Sequence, residues 1–132
     1  MSKKQFYIER IAAIIASLIL LQTLYFKFTA HPDSVHIFME MGVEPFGRIG
    51  LGIFELIAAI LLLYPKTSHF GGILGIGIML GAIISHLFIL GINVNNDGGI
   101  LFTLATTVFV CSLVVVMLKK DKLYQLWIKM RN

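Results

Sequence analysis

The sequence predicts an all-α fold: an integral membrane four-helix bundle with a short outer interfacial helix and an amphipathic C-terminal tail. Four uncharged stretches carry that prediction, Ile11–Phe26, Ile49–Tyr64, Phe70–Ile92 and Ile100–Leu118, the second broken by one acid, Glu55. A hydrocarbon core of about 30 Å takes roughly 20 apolar helical residues, so each stretch with its flanks crosses once. Composition agrees, because 58% of the 132 residues are hydrophobic and only 14% charged, far from the balance of a soluble domain. Four helices and their connections leave no room for a soluble catalytic domain or a nucleotide-binding fold. The expectation is one membrane domain, residues 1–132, with spans at about 8–28, 46–64, 70–92 and 98–118.

Charge is the third observation. The net charge is +4, but most basic residues flank the spans rather than forming one soluble patch, which points to lipid headgroups and away from nucleic acid. Lys3, Lys4, Arg10, Lys66, Lys119, Lys120, Lys122, Lys129 and Arg131 fall on one side of the spans; only Lys27 and Arg48 fall on the other. Positive flanks are retained in the cytoplasm during insertion, so both ends of the chain are expected inside, and the inner membrane of a bacterium is the expected location. On the outer side stand Asp33, Glu40, Glu44 and Asp97.

The first span follows a basic start but ends Tyr-Phe-Lys-Phe-Thr-Ala, without a small-x-small cleavage pattern, and is read as a retained helix rather than a secretory signal. Pro32, Asp33 and Ser34 then start a short helix, about 33–42, that Gly42 stops. It is either a lid folded over the bundle mouth or an interfacial connector. Pro65 ends the second span and leaves a tight inner turn before the third, so these two form a hairpin. The third span carries Gly71-x-x-x-Gly75 and Gly77-x-x-x-Gly81, stripes of small residues that let backbones approach, within the bundle or in a dimer. Asn93–Gly99 is rich in Asn, Asp and Gly and makes the outer reversal. The fourth span holds the only cysteine, Cys111, which excludes an internal disulfide or a dithiol pair and reads as packing. In the tail, 119–132, Leu123, Leu126, Trp127 and Met130 share one face with lysines elsewhere, the pattern of a surface anchor.

Gln22, Glu55 and His86 converge by depth on the outer half of the bundle, since alternate spans run in opposite directions. A lone carboxylate is costly there, so Glu55 is expected protonated, paired with Arg48, Lys27 or His86, or beside a wet cavity. Arg48 and Glu55 share a helical face with Gly52 between them, bordering a groove. Lys27 and Arg48 either line that pocket or snorkel to the interface. The candidate ligand-binding set is Glu55, His86, Arg48, Lys27 and Gln22, against the plainer reading of an internal ion pair that fixes packing. Thr103, Thr106 and Thr107 bring hydroxyls that their own helix backbone can absorb. The four histidines lack metal-ligand spacing, and neither a phosphate loop nor a nucleophile elbow is present, so no metal site, kinase or hydrolase is expected.

The run Leu24-Tyr-Phe-Lys-Phe28, the segment Gly52-Ile-Phe-Glu-Leu56 with its apolar continuation, Met79, Ala82 and His86 in the third span, and the Asp97-Gly98-Gly99 turn together resemble the DoxX-like small membrane proteins over about Ile8–Leu118. The resemblance implies a four-helix bundle and an association with quinone or sulfur-compound redox systems as a membrane subunit, with function attached to Lys27 and Glu55. Expected on that basis is a redox-associated subunit binding a quinone-like or other small ligand, with a redox partner protein or a homodimer. A small proton-coupled transporter and a non-catalytic assembly factor are the alternatives, and the resemblance decides no enzymatic reaction.

Overall fold

The computed structural model describes residues 1–132. Its elements are α1 (Lys3–Phe28), α2 (Pro32–Glu40), α3 (Phe46–Leu63), α4 (Ser68–Ser85) continuing as a π turn (His86–Leu90), α5 (Ile100–Leu118) and α6 (Lys120–Arg131). Helices α1, α3, α4 with its π turn, and α5 are each long and apolar enough to cross a membrane, and the protein is an integral membrane four-helix bundle. Helix α1 starts about five residues before the expected span. Ser2 and Gln5 explain the extension: Ser2 Oγ accepts the Gln5 N–H at 3.1 Å and Gln5 Oε1 accepts the Ser2 N–H at 3.1 Å, a capping box that satisfies two free donors.

The four long helices form a ring in which α1 lies between α3 and α5, and α4 closes the opposite side between the same two. The connections of α1 to α2, α2 to α3 and α4 to α5 lie at one end, here the lid end. The α3–α4 turn and α6 lie at the other, the basic end. Large apolar side chains such as Leu18, Ile60, Phe88 and Val110 point outward, as lipid solvation allows. Association of such helices gains little from burying apolar surface, because lipid is as apolar as leucine; close packing must supply the attraction.

Small residues provide it. Ala12, Ala13 and Ala16 of α1 meet Ala58 and Ala59 of α3 in the core, and the Ser17 hydroxyl donates to the carbonyls of Ala13 and Ala59 at 2.7 and 3.2 Å. On α4, a Cβ at Gly71 would stand 2.6 Å from the Leu62 backbone nitrogen, and one at Gly72 would stand 2.8 Å from Val116. The Gly71–Gly75 stripe is thus spent on packing within the chain. Gly77 and Gly81 differ: a Cβ at either would meet nothing within 4 Å.

Helix α2 packs on α3, α1 and the π turn, with Ser34 and Phe38 buried. It lies across the bundle mouth, where the sequence left a lid and a connector both open. Helix α6 has no buried residue; its Tyr124 and Trp127 rings stack at 6.3 Å and the Arg131 guanidinium stands 5.3 Å from the Trp127 ring.

Candidate functional site

Below α2, the lid-end half of the bundle holds a half-open cavity of about 570 Å³, within the size range of small-molecule sites. Leu20, Met79 and Val108 lie at its apolar depth, Gly77 and Gly81 leave its α4 wall open, and Ile37 and Phe38 of α2 cover it. The polar groups on its wall come from different helices and from the Asn93–Gly99 turn.

Glu55 enters from α3 and is 2% exposed. Lys27 arrives from the last turn of α1, its Nζ 3.0 Å from Oε1 and 3.2 Å from Oε2 of Glu55, while the Thr23 hydroxyl donates to Oε2 at 3.1 Å. Three donated contacts satisfy most of the carboxylate. Such a pair is strongly held only while both partners remain, since removing one strands a charge away from water.

His86 sits on the far wall, buried, its ring edge-to-face with Phe102 at 5.7 Å between centroids. Here α4 widens into its π turn, a form that often marks functional sites. The turn closes on Gly91, whose φ of +78° suits a residue without Cβ and whose N–H reaches the His86 carbonyl at 2.7 Å. The Gly91 carbonyl in turn lies 3.0 Å from His86 Nδ1. A carbonyl only accepts, so Nδ1 carries the hydrogen, and in the neutral form of the ring Nε2 is the acceptor.

The rim is formed by α2 and the Asn93–Gly99 turn. Asn95 Nδ2 donates to Asp33 Oδ1 at 3.2 Å, tying the lid to the turn. Asp97 lies outside the spans and accepts the N–H groups of Val94, Gly99 and Leu101 at 3.1, 2.8 and 3.1 Å. Burial draws its carboxyl upward, but donation from Leu101, Gly99 and Val94 outweighs it and holds the group below the ordinary aspartate value.

Three sequence expectations need correction. Arg48 neither pairs with Glu55 nor lines the cavity. Its Nε donates to the Glu44 carboxylate at 2.9 and 3.1 Å, and its guanidinium also donates to the Lys27 carbonyl, satisfying the exposed C-terminal end of α1. The groove expected over Gly52 is filled by Phe28, whose ring would lie 2.7 Å from a Cβ there. Gln22 is exposed and turns off the cavity wall, whereas its neighbour Thr23 faces inward. One residue is about 100° of helix, enough to exchange the two faces. Of the five candidates, the structure brings Lys27, Glu55 and His86 to one cavity. The hydroxyls of Thr103, Thr106 and Thr107 donate to the carbonyls four residues back, and none of the three lines this cavity.

A second polar cluster, not anticipated from the sequence, closes the basic end. Glu9 is fully buried and accepts from Arg10 at 2.6 and 2.7 Å and from Ser68 Oγ at 2.7 Å. Lys119 Nζ lies 3.6 Å from Glu9 and donates to Ser68 Oγ at 2.6 Å and to the Pro65 carbonyl. Arg10 also caps α3 by donating to the Leu62 and Leu63 carbonyls at 3.2 and 2.9 Å. Burial pushes the Lys119 ammonium below its ordinary value, with Glu9 opposing the shift. The cluster joins α1, the α3–α4 turn and the residue that follows α5. Its one sequence signal is an acid inside an otherwise basic flank.

The sequence model of the DoxX-like family matches residues 11–117. Searches of curated proteins and of solved structures returned no match to the chain.

Proposed function

The chain belongs to the DoxX-like family, and from that premise we propose that it is a redox-associated membrane subunit that takes a quinone-like or other small, mostly apolar ligand into its lid-end cavity. The observation that carries this reading is the cavity itself, about 570 Å³ of largely apolar space with Lys27, Glu55 and His86 on its wall. An assembly role that needs polar residues only for cohesion favours a closed cluster, as Glu9 and Lys119 form at the other end. The lid-end charges instead border a void.

A quinone headgroup is compatible with the size and polarity of the space, and when bound it supplies reversible two-electron chemistry. In this reading Lys27 has one N–H left to donate beyond Glu55 to a ligand oxygen, and His86 Nε2 accepts a hydrogen from the hydroxyl of the reduced, quinol-like form of the ligand. The apolar depth holds the remaining body, and α2 keeps water from the site. The proposal places the lid end outside and the basic end in the cytoplasm of a bacterial inner membrane, with a redox partner or a second copy docking from the membrane.

Copurification tests it. Solvent extraction of the purified full chain, followed by mass spectrometry, should recover a quinone-like or similar apolar small molecule near stoichiometric amount, lost in Gly81→Leu. Equal recovery from both proteins would remove the cavity from consideration.

A further inference from the structure

We infer that the cavity selects an uncharged ligand whose polar end donates a hydrogen bond, an alcohol, phenol or neutral N–H compound, and discriminates against anions and cations of the same body. This rests on the cavity being a ligand site and goes further by naming the chemical class.

The argument is an inventory of hydrogen-bonding capacity. In the inner part of the cavity most donors are already engaged: Thr23 Oγ1 donates to Leu20 and Glu55, Ser85 Oγ donates to the Gly81 carbonyl at 2.8 Å, and Lys27 directs its ammonium at both Glu55 oxygens. Beyond one Lys27 N–H, what stands open is an acceptor. His86 is 6% exposed, its Nδ1 is committed to Gly91, and Nε2 has no partner in the protein. On the cavity wall, Nε2 of the neutral ring offers only a lone pair, so a ligand donor is rewarded there and an acceptor is not.

Charge gives the second half. The wall carries one lysine against the carboxylates of Glu55, Asp33 and Asp97, and the rim histidine His31 uses Nδ1 to accept the Asp33 N–H. An anion would enter an already acidic site. A cation would have to displace Lys27 from Glu55 and strand one of the two in an apolar space, because the carboxylate is filled by Lys27 and Thr23. An uncharged donor disturbs neither group.

The test uses four fluorescent probes with one body: 1-pyrenemethanol, its methyl ether, 1-pyrenecarboxylate and 1-pyrenemethylammonium. Each is titrated into the 132-residue chain in nanodiscs, and the signal that counts is the difference from Gly81→Leu, which reaches into the space from a position where a Cβ meets nothing within 4 Å. The alcohol should bind about tenfold more tightly than the ether, the worth of one hydrogen bond in a dry site, and both ions should bind more weakly than the alcohol. In His86→Phe the alcohol and ether should bind alike. An ether equal to the alcohol in the wild type, or an ion that binds more tightly, overturns the ligand class while the cavity reading stands. If no probe distinguishes the wild type from Gly81→Leu, the cavity reading falls with it. Should His86→Phe fail to fold, the wild-type series alone decides the class.

Discussion

Lys27 and Glu55, separated by 28 residues in the chain, hold their charges 3.0 Å apart across the α1–α3 interface, with side chains 13% and 3% exposed respectively. The difference in exposure makes the pair asymmetric. Lys27 stands at the end of its helix and can turn toward the membrane surface; Glu55 is fixed in mid-helix.

Removing one partner should therefore depend on which one goes. Lys27→Met strands the carboxylate and should destabilise by about 3–5 kcal/mol, whereas Glu55→Gln releases a lysine that reaches water and should cost about 1 kcal/mol while ligand binding suffers. The double variant should regain most of the loss of Lys27→Met. Thermal unfolding of the purified proteins measures all three, and equal losses for the two single variants would contradict the asymmetry.

The two glycine stripes of α4 should respond oppositely to one substitution. A Cβ at Gly75 would stand 2.5 Å from Ser112 Oγ, so Gly75→Leu should force α4 from α5 and lose about 3 kcal/mol or more. Gly81→Leu should keep the melting temperature and abolish ligand recovery. A folded, ligand-binding Gly75→Leu would show that α4 and α5 do not pack as described.

Asp97 should give a signature in acid. Its folded value lies below the ordinary 3.8, so its contribution is fully present above that value and is lost as pH falls through the lowered folded value. Asp97→Ala should remove the N-terminal hydrogen bonds of α5 and lose about 0.5–2 kcal/mol at neutral pH. Melting curves from about pH 6 to about pH 2.5 should show the wild type converging on the variant; a gap that stays constant would assign the effect to something other than this carboxylate.

Orientation is checked by single cysteines at Lys66 and Asn95, both exposed, in a Cys111→Ala background. An impermeant thiol reagent should label Asn95→Cys on intact cells and Lys66→Cys only after permeabilisation. The reverse result would invert the proposed topology. Ser68, in the same turn as Lys66, is unsuitable because it is buried against Glu9.

The sequence by itself determined the four spans, their alternation, the depth at which Glu55 and His86 lie, and the family to which the chain belongs. These follow from hydropathy, charge and order, quantities read along the chain. The Glu44–Arg48 pair also has a sequence signal, acid and base four residues apart, but the expectation set Arg48 against Glu55 instead. Tertiary structure alone decided the rest. Gly71–Gly75 and Gly77–Gly81 are the same pattern, yet one is consumed by packing and the other borders a void. Thr23 rather than Gln22 meets Glu55, because docking fixes which side of α1 turns inward. Glu9 reads as part of a basic flank until Ser68 and Lys119 arrive from 59 and 110 positions away to bury it. Hydropathy gives depth along a helix, but azimuth and neighbour are set only when the backbones pack.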